Sequence, residues 1–415
     1  MKKYLIVASN ERSYLDLKNV VLELKKRNIP YFFLYSNSSE RLFPNINLDQ
    51  FNYDTNIESD IQYPSKTLGF NLPFKPDIVV LARERWQPEQ NIIKEFKEIF
   101  NSKIALLEIN SNFKLIIEEI LEIHSRNQYP QNMCDLYLDH SDFTLDNKIK
   151  TGFKNGNKSI ITGNPKYDNL KNYKLTPEIN DYLHKKYQLD PNKEKILWFS
   201  HIDLTRDKCL DYLEKFYNEN KHKYEILYKA FPGEPYNPRY SKQFQVIDGK
   251  IQFYLPGVKP FTNDTDLFYL SYLCNIHLGT VSSVSYFSFI LNKKFINIGN
   301  KEVYDKGTNI NALFEKNSDV ASGETGIAAE FWCRIFNLNQ QELIDTIDLK
   351  RLEKLKITNN KILEIFEECT IPYDNNFLFL NKPSPDYKKI LNLYDNFNDF
   401  KASKRIVNSL ENLVI

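Results

Sequence analysis

The sequence predicts an α/β protein of two successive doubly wound domains, closed by C-terminal helices. Three observations carry this reading. Short, continuous apolar runs recur along the chain, each suited to a strand buried on both faces of a parallel sheet. Amphipathic stretches of helical period separate them. At 415 residues the chain is too long for one ordinary domain and about right for two. With 42% hydrophobic, 26% charged and 14% aromatic residues, its composition is that of a globular protein.

The elements follow in order. Residues 4–8 form the first strand, and 13–27 a helix with Leu15, Leu17, Val20, Val21 and Leu24 at helical spacing. Residues 31–35 complete a βαβ unit. A polar, Asn-rich segment, about 44–70, reads as a long loop. Strand 77–82, helix 89–100, strand 104–108, a helix at about 114–124 and strands 135–138 and 159–162 finish the first half. From 168 to 194 a polar stretch reads as a linker plus a helix. The second sheet has strands at 195–200, 224–229, 251–254, 274–278 and 295–298, with helices at about 206–218, from 266, and at 284–291. From about 328 the chain reads as largely helical. The expected division is an N-terminal Rossmann-like domain over 1–170, a linker over 171–193, a C-terminal Rossmann-like domain over 194–380 and a helical segment over 381–415. Such sheets take ligands at the carboxyl ends of their strands, so the two domains are expected to face a common cleft.

Composition excludes several function classes. Lys+Arg 55 against Asp+Glu 54 gives a net charge of +1, so no global basic field argues for nucleic acid. The five cysteines are scattered and never in a C-x-x-C pair, as expected of reduced thiols in a reducing compartment. The opening apolar run is too short for a signal peptide and is closed by Asn10, Glu11 and Arg12. No stretch approaches the roughly eighteen apolar residues of a membrane span. The expected location is cytoplasmic.

The segments able to carry chemistry lie at strand ends. Gly279-Thr280-Val281-Ser282-Ser283-Val284-Ser285-Tyr286 links a buried strand to a helix. Unpaired N–H groups and the helix dipole there suit a diphosphate or phosphodiester, with Gly279, Thr280, Ser282 and Ser283 as contacts. The plain alternative is a serine N-cap. Gly163-Asn164-Pro165-Lys166 is a strong turn signal after a strand. Either Gly163, Asn164 and Lys166 meet an anionic donor, or the turn is structural and Lys166 solvated. Lys229 closes a strand and is placed to neutralise a phosphate; Ser200 and His201 occupy the same edge. Glu84 and Glu108 follow strands of the first half, where a carboxylate can deprotonate an acceptor hydroxyl. The alternative for each is an ion pair with arginine. His124–Pro130 follows a helix and is expected to border the same cleft, and Asp139-His140-Ser141-Asp142 reads as a helix cap, as does Asp264-Thr265-Asp266. No Gly-rich phosphate loop, H-E-x-x-H, G-x-S-x-G or Cys/His metal spacing is found.

On these residues the chain resembles the GT-B glycosyltransferases, in particular the CDP-glycerol glycerophosphotransferase (teichoic-acid polymerase) family. That family's Gly-Asn-Pro-Arg-x-Asp turn is matched by Gly163-Asn164-Pro165-Lys166-Tyr167-Asp168, its late Ser-Ser pair by Ser282-Ser283, and the segment upstream of its turn by Ser141-Asp142-Phe143-Thr144. The departures are specific. Asp-Tyr before the Ser-Ser pair is Thr280-Val281 here, Lys-x-His-Pro is Lys229-Ala230-Phe231-Pro232, and Trp-His-Gly is replaced by Glu108-Ile109-Asn110. With that histidine absent, Glu108 is the expected base, and a nucleotide sugar can replace CDP-glycerol as donor. The resemblance implies a metal-independent transferase with no cofactor. Its donor would be a CDP-, CMP- or UDP-linked substrate, and its acceptor a saccharide or lipid-linked saccharide. It would work in the cytoplasm or at the inner face of the membrane. UDP-N-acetylglucosamine 2-epimerases share the two-domain plan and stand as the enzymatic alternative; a nucleotide-sugar-binding module without turnover is the other.

Overall fold

A computed structural model describes residues 1–36, 51–57, 61–82, 87–107, 133–170, 173–200, 206–230, 234–236, 243–247, 250–262, 264–282, 284–299, 333 and 337–414. The chain divides into two compact units, one within 1–171 together with 392–415, the other within 172–391.

The first unit is built on a seven-stranded sheet. Its strands are β1 (Tyr4–Ala8), β2 (Tyr31–Tyr35), β3 (Asn52–Thr55), β4 (Ile78–Leu81), β5 (Lys103–Leu107), β6 (Leu136–Asp139) and β7 (Ser159–Ile161), in the order β3-β2-β1-β4-β5-β6-β7. All pairs are parallel except β2 with β3. Between β1 and β2 runs α1 (Glu11–Lys26), whose N-cap Asn10 accepts from the Ser13 N–H at 2.9 Å. Leu17, Val20, Val21 and Leu24 recur at helical spacing and are buried against one face of the sheet with Tyr4, Ile6 and Phe33. A second apolar cluster, including Leu5, Val7, Val79, Ile92 and Phe96, covers the other face. Two covered faces require strands apolar throughout, as the sequence reads.

The expected long loop at 44–70 holds more order than its polarity suggested. Its described residues contribute β3, antiparallel at the sheet edge, and a hairpin of Tyr63–Ser65 with Phe70–Leu72. The Glu95 carboxylate fixes the hairpin turn by accepting from the N–H groups of Lys66 and Thr67, each at 2.7 Å. Edge strands bury only part of their surface, so Asn52-Tyr53-Asp54-Thr55 carries no apolar run to reveal it.

The second unit has a six-stranded, all-parallel sheet: β8 (Glu194–Phe199), β9 (Tyr224–Lys229), β10 (Val258–Phe261), β11 (Ile276–Gly279), β12 (Lys294–Asn297) and β13 (Ile371–Pro372). The order is β10-β9-β8-β11-β12-β13, doubly wound, with the reversal between β8 and β11. Residues 251–254, expected in this sheet, instead contribute to a separate antiparallel hairpin, Phe244–Ile247 with Lys250–Phe253. The edge position falls to β10, whose Pro260 is tolerated because an edge strand needs donors on one side only. The expected linker region contains the helix Pro177–Tyr187, capped by Thr176.

The C-terminal segment does not stay together as expected over 381–415. Helix Lys388–Tyr394 straddles the division, while helix Ala402–Asn412 belongs to the first unit. Ile406, Val407 and Leu410, all fully buried, join the cluster around α1 and β1. Leu410→Ala should therefore destabilise the first unit by about 3 kcal/mol, the transfer plus cavity cost of a buried leucine. An unchanged urea midpoint would show that this helix is not part of that core.

Candidate functional site

The carboxyl edge of the second sheet collects Ser200, Lys229, Thr280 and Ser282 among the polar residues singled out in the sequence. Register places Phe199 beside Lys229 and Trp198 beside Leu278, so Ser200, Lys229 and Gly279-Thr280 emerge at one edge, astride the strand-order reversal. The Ser200 N–H donates to the Lys229 carbonyl at 3.0 Å, which continues the ladder past the strand.

Ser200 is half-buried, and its hydroxyl lies 2.5 Å from Glu234 Oε2. The Tyr228 hydroxyl lies 3.0 Å from Ser200 Oγ and 3.1 Å from Glu234 Oε1. Glu234 and Tyr228 are each 1% exposed. Glu234 received no role in the sequence reading. The only signal for it was an acidic residue in a Pro-Gly loop five positions past a strand. Lys229 is buried, with its ammonium donating to the Thr262 carbonyl at 2.6 Å and to the Ala230 carbonyl at 3.3 Å. It lies along the edge among carbonyl oxygens, a cation held where the strands end.

Gly279 has φ +155°, a conformation that favours glycine, and turns the chain out of β11 into Thr280, which is buried. Ser285 then closes the loop. Its Oγ accepts from the Ser282 N–H at 2.8 Å and donates to the Ser282 carbonyl at 2.7 Å. The helix that follows is Tyr286–Ile290, shorter than the expected 284–291 because Val284 and Ser285 sit in this turn. Five residues sum to little of a macrodipole, so this helix by itself offers an anion little. Beneath the loop, His277 is fully buried with Nδ1 2.7 Å from Ser288 Oγ. Burial, helped by the Lys293 charge, takes its pKa down to about 3. His277 is thus a neutral strut pinning β11 to the short helix.

In the first unit, the Gly-Asn-Pro turn after β7 is tied to the C-terminal segment. Gly163 has φ +83°, and a Cβ there would stand 2.7 Å from the Asp395 carboxylate. The Asn164 N–H donates to that carboxylate at 3.0 Å, and Arg405 Nε donates to the Thr162 carbonyl at 2.7 Å. Asp168 accepts from the N–H groups of Ala402 and Ser403, at 3.0 and 2.6 Å, and so caps the last helix. Gly163 and Asn164 are buried, which favours the structural alternative for both. Lys166 is half-buried.

Ser141 does cap the helix Asp142–Thr151, accepting from the Thr144 N–H at 3.1 Å, and Asp139 forms a buried ion pair with Lys148 at 2.8 Å. The capping expectation for Asp264-Thr265-Asp266 needs correction at Asp266. It lies inside the helix Asp264–Leu273 and binds Lys186 Nζ at 2.6 Å and the Tyr187 hydroxyl, joining that helix to Pro177–Tyr187. Glu84, Glu108, His201, Ser283 and His124–Pro130 lie outside the described residues. Among the described residues, no group of three His, Cys, Asp or Glu side chains is placed to hold a metal, and no helix is long and apolar enough to cross a membrane.

Solved structures share this fold. The chain resembles UDP-GlcNAc 2-epimerase from Neisseria meningitidis bound to UDP-GlcNAc, with a TM-score of 0.50 and 14% identity, over 99% of this chain and 100% of that one. A variant of the wall teichoic acid polymerase TagF soaked with CDPG matches with a TM-score of 0.53 and 14% identity, over 99% of this chain and 88% of that one. Another TagF variant matches with a TM-score of 0.51 and 13% identity over the same shares. No protein-family model and no curated protein matches the chain. The fold is therefore α/β with two Rossmann-like, doubly wound units, the plan of the GT-B enzymes.

Proposed function

We propose that the chain is a GT-B glycosyltransferase that moves a sugar or glycerophosphate from a nucleotide-activated donor to a hydroxyl of a surface glycan or lipid-linked acceptor. The observation that carries this is the convergence of Ser200, Lys229, Thr280 and Ser282 on one sheet edge at the strand-order reversal, where doubly wound sheets bind nucleotides. The likeness to folds solved with UDP-GlcNAc and after a CDPG soak supports the same ligand class. The proposed donor site leaves out Gly163 and Asn164, which face Asp395.

In this reading Thr280, Ser282 and Ser283 hold the donor phosphates, and Lys229, with Lys166, offsets the leaving-group charge without a metal. Glu108, the residue after β5, takes the proton of the acceptor hydroxyl. The acceptor oxygen bonds to the sugar carbon or glycerol-bearing phosphorus as the nucleotide leaves with the bonding pair. Work at the inner face of the membrane follows from a lipid-linked acceptor.

Thermal-shift measurements with CMP, CDP, UDP, UDP-sugars and CDP-glycerol test the first step. At least one should raise Tm, and the double variant Ser282→Ala/Ser283→Ala should lose that shift. Glu108→Gln should keep the shift while nucleotide release with acceptor falls about 100-fold or more, the scale of general-base catalysis. Full activity in Glu108→Gln would remove Glu108 from the mechanism. The epimerase reading is favoured by the match across 100% of that enzyme's chain. Sugar interconversion without an acceptor would establish it instead.

A further inference from the structure

Ser200 sits where a phosphate contact was expected, but its hydrogen-bond polarity suits a different group. A serine hydroxyl has one hydrogen, and a carboxylate can only accept. At 2.5 Å, the Ser200 hydrogen points to Glu234 Oε2 in a charge-assisted bond, which is about twice as strong as a neutral one. The Tyr228 hydroxyl, 3.0 Å from Ser200 Oγ and 3.1 Å from Glu234 Oε1, brings a second hydrogen to the same pair of acceptors. With its hydrogen given to Glu234 and one lone pair taken by Tyr228, half-buried Ser200 Oγ has only a lone pair left to offer a ligand. Glu234, 1% exposed, lies behind Ser200 and holds the serine hydrogen.

A phosphate oxygen offers only lone pairs, so it finds at Ser200 no hydrogen to accept, because that hydrogen is committed to Glu234. A ligand hydroxyl, by contrast, supplies the hydrogen that Ser200 Oγ can accept. We propose that the Ser200–Tyr228–Glu234 triad is a hydroxyl-selecting subsite. It would accept a hydrogen bond from a hydroxyl of the bound donor and steer the donor's phosphates toward Thr280, Ser282 and Lys229. This rests on the nucleotide-donor reading and sharpens it: Ser200 becomes a specificity residue in place of a phosphate ligand. The hydroxyl belongs either to the ribose or to the transferred group.

The test is isothermal titration of the full chain and of Ser200→Ala and Glu234→Gln, each checked for native circular dichroism. The ligands are CDP and UDP, their 2′-deoxy and 3′-deoxy counterparts, CDP-glycerol, UDP-GlcNAc and inorganic pyrophosphate. If the ribose is read, Ser200→Ala should weaken a ribonucleotide about 3- to 10-fold, the range for one neutral hydrogen bond. It should leave the matching deoxynucleotide unchanged, because that ligand already lacks the donor. If the transferred group is read, the same loss should appear with CDP-glycerol or UDP-GlcNAc and be absent with CDP and UDP. Pyrophosphate should bind Ser200→Ala no more weakly than the native chain. Glu234→Gln can donate to Ser200 Oγ and release the serine hydrogen, so discrimination between hydroxyl-bearing and hydroxyl-lacking ligands should fall toward one. Equal weakening of every ligand by Ser200→Ala, pyrophosphate included, would make Ser200 a phosphate contact and overturn the proposal. So would nucleotide binding indifferent to both variants. Absence of nucleotide binding by the native chain would instead overturn the donor-site reading, and this assignment with it.

Discussion

Gly163→Ala should lower the stability of the first unit by about 3 to 5 kcal/mol. The left-handed backbone at φ +83° costs a residue with a Cβ about 1 to 2 kcal/mol. The added carbon would also lie 2.7 and 2.8 Å from the Asp395 carboxylate oxygens and 2.9 Å from Arg405 Nη2. Moving Asp395 aside loosens its bonds from the N–H groups of Asn164, Phe397 and Asn398, at 3.0, 2.7 and 3.2 Å. Hydrogen bonds to a charged group contribute about 1.5 to 3 kcal/mol each, of which only part is lost if the loop relaxes. Urea unfolding checks the total. A double-mutant cycle with Asp395→Ala assigns the cause. With the carboxylate gone, Gly163→Ala should cost only the backbone strain, so the two effects should be strongly non-additive. Additive losses would mean that Asp395 is not what requires glycine at this position.

The second large effect is a pH dependence traceable to His277. Its imidazole, buried and held near a pKa of about 3, stays neutral in the folded chain well below the ordinary value of 6.5. Between those values the unfolded chain binds a proton that the folded chain does not, so stability must fall as pH drops through this window. Each unit below 6.5 removes about 1.4 kcal/mol. His277→Gln keeps a partner for Ser288 Oγ and cannot titrate. Between pH 7 and pH 5 the native chain should therefore lose about 2 kcal/mol more than the variant in urea unfolding. Parallel pH profiles would show that the folded chain protonates His277.

The central strands were legible because burial on both faces leaves only apolar residues. Leu5-Ile6-Val7, Ile78-Val79-Val80-Leu81 and Ile196-Leu197-Trp198-Phe199 announce themselves as runs. Edge strands were not: Asn52–Thr55 is polar, Val258–Phe261 contains Pro260, and Ile371–Pro372 is two residues long. Strand ends placed Ser200, Lys229, Thr280 and Ser282 on one sheet edge, because the connecting loops begin where such runs stop. Glu234 was invisible, since its partners Ser200 and Tyr228 become neighbours only through the pairing of β8 with β9. The Gly-Asn-Pro turn stayed open between a ligand contact and a structural role for a related reason. Asp395 and Arg405 lie more than two hundred residues further along, and nothing local in Gly163-Asn164 reveals what covers it.

The return of Ala402–Asn412 to the sheet begun by Tyr4–Ala8 bears on synthesis in the cell. Until that helix has been translated, β1 and α1 lack Ile406, Val407 and Leu410 as interior neighbours. Making the intervening unit takes roughly 10 to 45 s at ordinary ribosome speeds, long enough for it to fold first. The amino-terminal half thus waits on the ribosome with an unfinished apolar face, a surface for chaperones to hold. Nascent chains halted before residue 402 should be cut by protease first within 1–171, even though those residues were made earliest.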